Sequence, residues 1–431
     1  MVNPHFLRRR RTRVSPTLLD RAAGDARVVV SLGPLSVLDR DDLAAELVRL
    51  AAISPGSRLA IRRNPWTAHG PWDWDPARLA GDVRAWAECF PGTEHLPIHE
   101  KVTLVRRTTP TPDGLRVYVA GDHVITDLSH GVFGGVMVVK LWLYLSVCLS
   151  RPTPDWSVTP QHRPRTGWLL LRHLVSHPGA VGELAAAGRH RVPTVSAVRT
   201  VAGPARPTTV SGYLNPAGVA ALQEWRAEHA PDCSVAVLLM TALTRAFDHV
   251  GIALSPVVHV VVDASRYDPR LPRYLGNLAV GLNLPFAAPY DPGALQSELG
   301  RAMSSGRPLA AMLAISIGEL FALRRPGRVA PPAEPATATL SFSHLLGLDD
   351  MPDGNWIGGF DAHQFVAVSD PVGARGIALL TPKMRDRYDI SASFDERFHD
   401  VTTIQHALDL ATTDPVSLLT PRTTLDVGGQ S

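Results

Sequence analysis

Two polar segments of the chain carry side chains that can move a proton or bind an anion. The first, residues 121–131, has the sequence GDHVITDLSHG, in which His123 stands four residues before Asp127. A histidine accepts a proton near neutral pH, so His123 is a candidate general base, and Asp127 can hold the segment if it meets a cation. The spacing alone is weak evidence, and a structural histidine is the alternative. His130 is a second candidate, or else a helix N-terminal residue facing solvent.

The second segment, residues 262–277, has the sequence VDASRYDPRLPRYLGN and follows an apolar strand. One interpretation is an ordinary connection in which Gly276 supplies a turn. The other is a loop that lines a cleft, with Arg266 reaching a carboxylate from the other half of the chain. Both interpretations place the loop at the end of a strand.

The elements around residues 121–131 would position these side chains at the edge of a sheet. An alternating strand, Leu115–Gly121, precedes the segment, and a helix from about Ser129 to Leu149 follows it. Such a junction often carries catalytic side chains. Residues 131–149 are almost wholly apolar and long enough to span a membrane, but Lys140 would then lie in lipid at a cost of about 3 kcal/mol. We therefore expect a buried core helix.

The rest of the chain alternates between helical and strand patterns, which predicts an α/β fold. Helices are expected to begin at Asp39, Asp75, Asn215 and Ser234 and near Trp168 and Thr402. Strands are expected near Arg58–Arg62, Lys101–Arg107, Pro256–Val262, Thr337–Ser343, Gly376–Pro382 and Tyr388–Phe394.

Length and composition indicate two domains in a reducing compartment. The 431 residues suit two cores, and residues 151–206 are rich in Pro and Arg. We predict a first domain over 1–165, a crossover linker over 166–206 and a second domain over 207–431. The three cysteines are odd in number and far apart, and no secretory leader is visible, which favours the cytoplasm and no metal. The net charge of +3 gives no reason to expect nucleic-acid binding.

Three segments in order resemble motifs of the HxxxD acyltransferase superfamily. That group includes BAHD acyltransferases, condensation domains of nonribosomal peptide synthetases, wax ester synthases and polyketide-associated acyltransferases. His123 and Asp127 match the second histidine and the aspartate of the HHxxxDG motif. Residues 262–277 resemble the BAHD stretch from VDxRxR to LPxGYFGN, and residues 336–344 (ATATLSFSH) stand where wax ester synthases have a strand ending in Ser-Asn.

The resemblance implies two chloramphenicol-acetyltransferase-like α/β sandwich domains, arranged as a pseudo-dimer with a tunnel between them. His123 would deprotonate a hydroxyl or amine of a small-molecule acceptor as it attacks a thioester, forming an ester or amide. The donor would be acyl-CoA or a phosphopantetheinyl thioester on a carrier protein supplied in trans, with no tightly bound cofactor. Asp127 would be structural and pair with Arg266, while Ser341 or Ser343 would stabilise the oxyanion. The enzyme would be a monomer and would act in secondary metabolism.

Two departures from the motif leave other functions open. Asp122 replaces the first histidine, and Leu128 replaces the glycine that follows the aspartate. A leucine there would add bulk beside the reaction centre and, with Asp122 and His130, would modify the channel. The alternatives are the same scaffold used for another base-assisted reaction, such as a cyclisation, and a non-catalytic module that docks a carrier protein.

Overall fold

A computed structural model describes residues 12–36, 39–63, 72–79, 92–108, 114–146, 154, 165–189, 204–271, 274–324, 336–345, 348–349, 351, 353 and 355–420. The described strands are β1 (Thr12–Val14), β2 (Arg27–Gly33), β3 (Ile61–Arg62), β4 (Trp72–Trp74), β5 (Leu115–Ala120), β6 (His123–Ser129), β7 (Pro207–Leu214), β8 (Val257–Asp263), β9 (Ala279–Pro285), β10 (Leu340–Ser343), β11 (Gln364–Ser369), β12 (Ile377–Leu380), β13 (Lys383–Met384) and β14 (Arg387–Asp395). The described helices are α1 (Leu18–Ala22), α2 (Arg40–Ile53), α3 (Ile98–Arg107), α4 (Gly135–Ser146), α5 (Thr166–Ser176), α6 (Ala180–Arg189), α7 (Pro216–His229), α8 (Val235–His249), α9 (Pro292–Ser304), α10 (Arg307–Arg324), α11 (Val401–Thr413) and α12 (Pro415–Leu419).

Polar N-cap side chains explain where several helices begin. Asp39 accepts the backbone N–H groups of Asp41 and Asp42 at the start of α2. Asn215 and Ser234 cap α7 and α8 in the same way. Because each cap satisfies an N–H that the helix itself leaves unpaired, these three predicted helix starts are confirmed.

The first half is built on a sheet with the strand order β11-β2-β6-β5, in which all neighbours are antiparallel. One face packs against α3, in a core that includes Val29, Val102 and Ile125. The other face packs against α2 and α4, in a core that includes Val30 and Leu128. The sheet is therefore covered on both faces, which buries most of β6.

The second half is built on a larger sheet with the order β7-β14-β12-β10-β8-β9, and β13 also pairs with β14. Strands β8, β10 and β12 are parallel neighbours, so their carboxyl ends lie along one edge of the sheet. One face of this sheet contributes Val260, Leu340 and Phe342 to a second core, which also contains α8 and α11 residues.

Strand β11 comes from the second half of the sequence but completes the sheet of the first half. It pairs with β2 from Gln364 opposite Gly33 to Ser369 opposite Val28. The Ser393 hydroxyl of β14 donates to the carbonyl of Ser369, which connects β11 to the larger sheet. The two halves therefore share backbone hydrogen bonds as well as side-chain contacts.

The prediction of a strand at Lys101–Arg107 is wrong, because these residues belong to helix α3. Val102, Thr103 and Val105 favour a strand by composition. Ile98, Val102 and Val105, however, recur at helical spacing and are buried against the sheet. The helical spacing of apolar residues begins at Ile98, before the segment 101–107 for which the strand was predicted. Packing of this apolar face on the sheet therefore favours a helix.

The apolar stretch at 131–149 begins with a turn, and helix α4 starts at Gly135. Among the described residues, no helix combines the length and the apolar character that crossing a membrane would require. The helix predicted from Asp75 is helical over residues 76–79 and lies outside the described residues beyond them. The helix predicted near Trp168 is α5, and of the predicted crossover linker over 166–206 only residues 190–203 lie outside the described residues.

Candidate active site

The two histidines of the first polar segment lie at opposite ends of strand β6. His123 is the first residue of β6 and pairs with Ala120 of β5 across the turn formed by Gly121 and Asp122. His130 directly follows Ser129, the last residue of the strand. The strand thus separates the two imidazole rings, and each ring has its own surroundings.

The ring of His123 is only 7 % exposed. Its Nδ1 lies 2.6 Å from Oδ1 of Asp122, and its Nε2 is buried without a hydrogen bond to a described residue. Burial and the charge of Lys101 lower the pKa of His123, although Asp122 and the nearby Gln364 side chain oppose this change. His123 thus lies at a strand end, as expected, but its ring is buried and bonded to Asp122 instead of standing free.

A cavity of about 440 Å³ lies between α3, β7, β11 and β14. Its lining includes His99, Ser211, Gln364 and Arg387, and it does not include His123 itself. Because Gln364 also interacts with His123, the cavity lies near the amino end of β6.

Asp127 forms a buried, bidentate ion pair with Arg27 of the neighbouring strand β2. Nε of Arg27 donates to Oδ1 and Nη2 donates to Oδ2, each at 2.6 Å. The same guanidinium donates to the carbonyls of Val105, Arg106 and Thr108 at the end of α3. Burial alone would lower the pKa of Arg27, but the bonds and charge of Asp127 raise it.

The predicted pairing of Asp127 with Arg266 is therefore wrong. Arg27 lies on the strand next to β6, opposite Ser129, and reaches the carboxylate directly. Arg266 lies in the short 3-10 helix Ala264–Tyr267 that follows β8. The Asp127 carboxylate holds the Arg27 guanidinium, which in turn bonds to the end of α3.

The imidazole of His130 is held by the turn that follows β6 and is partly exposed. Its backbone N–H donates to the carbonyl of Ala26 at 2.8 Å, and its Nδ1 lies 2.9 Å from the carbonyl oxygen of Phe133. Because a carbonyl only accepts, Nδ1 carries the proton and Nε2 is left as the acceptor. No hydrogen bond joins Nε2 to a described residue, so this nitrogen can take a proton.

The turn after His130 contacts the second half of the chain. The N–H of Gly134 donates to the carbonyl of Leu275 at 3.0 Å. A Cβ built on Gly134 would lie 1.9 Å from the carbonyl oxygen of Gly276, so only glycine allows this approach. His130 therefore stands where the two halves meet, and Gly134 occupies the position four residues after it.

Beneath this turn, a buried carboxylate joins segments from both halves. Asp20 accepts the hydroxyl of Tyr274 at 2.6 Å and the backbone N–H of Asn277 at 3.2 Å. Nη2 of Arg58 lies 3.2 Å from the same carboxylate and donates to the carbonyl of Gly131 at 3.4 Å. These contacts link Asp20, Arg58 and the segment 274–277 to Gly131, the residue that follows His130.

Ser341 and Ser343 lie on β10, on the face opposite to the core residues Leu340 and Phe342. The hydroxyl of Ser341 is buried without a hydrogen bond to a described residue. Ser343 ends β10 opposite Val261, close to the carboxyl end of β8. The segment that contains Leu275 connects β8 to β9 at this same edge of the larger sheet. The structure thus brings Ser343 and the His130 turn to the same edge.

The remaining predicted channel residues have other surroundings. Leu128 is fully buried in the core between the first sheet and its helices, beside its strand neighbours Val28 and Leu115, instead of beside an open channel. Asp122 lies in the turn before β6, where it pairs with His123.

Comparisons with known proteins identify the fold. No protein-family model and no curated protein sequence matches the chain. Among solved structures, a trichothecene 15-O-acetyltransferase from Fusarium sporotrichioides is 11% identical with a TM-score of 0.57, covering 97% of this chain and 98% of that chain. The first condensation domain of the calcium-dependent antibiotic synthetase is 14% identical with a TM-score of 0.55, covering 95% and 99%. Polyketide synthase associated protein 5 from Mycobacterium tuberculosis is 15% identical with a TM-score of 0.54, covering 94% and 99%.

These likenesses confirm the predicted fold, a two-domain α/β architecture of the condensation-domain type. At this level of identity they show the fold alone, so the roles of individual residues depend on the geometry of this chain.

Sequence reasoning missed Asp20, Arg58 and Gly134. A signal for Gly134 was present in residues 129–135 (SHGVFGG). His130 stands four residues before Gly134, and Gly135 follows it, as a glycine follows the aspartate in HHxxxDG. Asp20 and Arg58 carry no such signal, because their partners are distant in sequence.

Proposed function

We propose that this protein is an acyltransferase that forms an ester or amide from a thioester donor, with His130 as its general base. The observation that carries the proposal is the His130 ring, whose Nδ1 is fixed by the Phe133 carbonyl and whose Nε2 has no partner among the described residues. This ring lies where the halves meet, at the carboxyl end of β6. The fold shared with an acetyltransferase and with condensation domains supports the reaction class.

The reaction needs one proton shuttle and one oxyanion site. Nε2 of His130 takes the proton from the acceptor hydroxyl or amine as that atom bonds to the thioester carbonyl carbon. The tetrahedral oxyanion is stabilised by a hydroxyl at Ser343 or Ser341. Collapse of this intermediate breaks the carbon–sulfur bond, and the departing thiolate receives the proton from His130. The donor is acyl-CoA or a carrier-protein thioester supplied in trans.

A pair of alanine variants on one strand tests the assignment. Thiol release is measured from a panel of acyl-CoAs and acyl-carrier proteins, with hydroxyl and amine acceptors, and the products are identified by mass. We expect His130→Ala to lower the rate by about 10²–10⁴-fold, because proton transfer then lacks its base. His123→Ala, the matched control, should retain the rate. If only His123→Ala loses activity, the assignment of His130 is wrong.

A specific observation favours the other imidazole as a second candidate base. His123 has a buried Nε2 without a hydrogen bond to a described residue, and its neighbour Gln364 lines the 440 Å³ cavity. A substrate that enters from this cavity would meet Gln364, the neighbour of His123, and would not be near His130 at the other end of β6. The same two variants separate the candidates. Absence of thiol release from every donor would instead favour a docking module without catalytic activity.

The domain boundaries at residues 165 and 206, the monomeric state, the cytoplasmic location and a place in secondary metabolism stay predictions. Size-exclusion chromatography with light scattering tests the monomeric state directly.

A further inference from the structure

The turn that carries His130 has no carboxylate of its own. Gly134 stands four residues after His130, where the HxxxD motif has its aspartate. The space around Gly134 is also closed, since a Cβ there would overlap the carbonyl oxygen of Gly276 at 1.9 Å. Backbone bonds to Ala26 and Leu275 hold the turn, but a charged anchor for it has to come from elsewhere in the chain.

The buried pair of Asp20 and Arg58 occupies the space next to this turn. A Cβ built on Gly131 would lie 2.2 Å from the carbonyl oxygen of Asp20, so the turn rests directly on α1. The Arg58 guanidinium donates to the carbonyl of Gly131, the residue that follows His130. The Asp20 carboxylate holds Tyr274 and Asn277, from the segment that contacts Gly134.

Both charges of this pair are withdrawn from solvent. The side chains of Arg58 and Asp20 are 6% and 2% exposed. Burial would lower the pKa of Arg58, but the charge of Asp20 and the Tyr274 hydroxyl raise it, so the guanidinium stays charged. Burial and the Asp20 charge raise the pKa of Tyr274, so its hydroxyl stays a donor. Opposite charges in a dry site act strongly on nearby groups.

We propose that Asp20 and Arg58 are positioning residues for His130 and supply, from outside the motif, the anchoring ion pair that Gly134 cannot provide. Arg58 holds the turn through the Gly131 carbonyl, and Asp20 holds Arg58 and the segment of the second half together. The kinetic part of this inference rests on the proposed function, whereas the state of the His130 ring can be measured without any substrate.

If Asp20 and Arg58 position His130 as a charged pair, removing either charge should change how readily His130 is protonated. A contact that is merely structural would not have this effect. Asp20→Asn leaves the positive charge of Arg58 beside the turn, which disfavours protonation of His130. Arg58→Met leaves the negative charge of Asp20, which favours protonation. The double variant removes both charges. Other charged groups near this turn, the pairs Arg63–Asp25 and Arg27–Asp127, are unchanged in all three variants.

The experiment follows the ring signals of His130 by NMR during a pH titration, with the signals assigned by their loss in His130→Ala. The titration midpoint should move to lower pH in Asp20→Asn, to higher pH in Arg58→Met, and return towards the wild-type value in the double variant. Asp395→Asn is the matched control, because Asp395 is also a buried carboxylate paired with an arginine but lies on β14, across the larger sheet. It should leave the midpoint unchanged.

Kinetics then tests the effect on the reaction. Asp20→Asn and Arg58→Met should lower kcat about tenfold or more with little change in KM, and Arg58→Lys should restore part of the loss. If either charge variant is unfolded by circular dichroism, Tyr274→Phe, which removes one hydrogen bond to Asp20, replaces it and should lower kcat more mildly.

The outcomes separate this inference from the proposed function. Midpoints that do not move, or that move in the same direction in both charge variants, overturn the inference even if His130 proves to be the base. Opposite midpoint shifts with no thiol release from any donor support the positioning role and count against the acyltransferase.

Discussion

The two histidines of β6 show how surroundings decide what an imidazole can do. His123 is buried and bonded to Asp122, so its ring is constrained on the Nδ1 side, and its Nε2 is withdrawn from solvent. His130 is partly exposed and bonded through Nδ1 to the Phe133 carbonyl, and its Nε2 has no hydrogen bond to a described residue. Burial disfavours the charged ring, and it therefore gives His123 an effect on stability that depends on pH.

We expect His123 to make the protein less stable in acid. Burial and Lys101 lower its pKa in the folded state below the value of about 6.5 in an unfolded chain. The contribution to stability is therefore present above that unfolded value and is lost as the pH falls through the lower folded one. Urea unfolding at pH 7.5 and pH 5 should show a smaller decrease for His123→Gln than for the wild type. Equal decreases would contradict the prediction.

The pair of Arg27 and Asp127 makes a second prediction. Arg27→Met leaves the buried Asp127 carboxylate without its partner and removes the bonds to the end of α3. The free energy of unfolding, measured with urea, should fall by about 3–5 kcal/mol. The double variant Arg27→Met with Asp127→Leu should lose less, since no charge is then left unpaired. A loss under about 1 kcal/mol for the single variant would show that the pair is replaceable.

Between β6 and α4, the chain uses consecutive glycines for different purposes. Gly134 allows the turn to meet the Gly276 carbonyl, whereas nothing lies within 4 Å of a Cβ built on Gly135. The contact of Gly134 determines how closely the second half approaches His130. The first residue of α4 has no such constraint.

Alanine at each of these glycines gives a matched pair of variants. Gly134→Ala should lower the free energy of unfolding by at least about 1–3 kcal/mol, because a backbone oxygen has to move away from the new methyl group. Gly135→Ala should cause no loss and should gain up to about 1 kcal/mol from helix propensity. Thermal unfolding of both variants checks the pair, and equal melting temperatures would contradict the predicted clash.

How much of this arrangement can be predicted from sequence depends on whether the signal is local. Caps at Asp39, Asn215 and Ser234 predicted three helices, because a cap and its helix are adjacent in sequence. Partner choice was not local. The carboxylate of Asp127 selects Arg27 because strand pairing brings that residue near, and a motif-based alignment has no information on register.

The same limit explains the choice between His123 and His130. Both precede a plausible motif position by four residues, and only the end of β6 distinguishes them. Strand boundaries are the least predictable part of an element.

The two halves of the chain are joined by an exchanged strand. β11 follows most of the second half in sequence, yet it forms the edge of the sheet beside β2. This strand and the Asp20 contacts to Tyr274 and Asn277 cross between the halves. Neither half contains all the partners that its own elements require.

We therefore expect the halves to be unstable when separated. A fragment that ends at residue 195 lacks β11, so the edge of β2 presents unpaired backbone groups and favours aggregation. The fragment should be insoluble when expressed alone and should become soluble when co-expressed with residues 196–431. Solubility and size-exclusion chromatography check this result, and a soluble, monomeric first fragment with cooperative unfolding would contradict it.

The order of synthesis on the ribosome gives β11 a further consequence. Strands β5 and β6 emerge early and β6 can pair with β2, but β11, the second partner of β2, is made only after synthesis has passed from Ser129 to Gln364. At about 5–20 residues per second, that interval lasts on the order of ten seconds or more, during which the nascent sheet has an incomplete edge. A chaperone that shields this edge during translation would therefore raise the yield of native protein, and slowing translation before residue 364 would lower it.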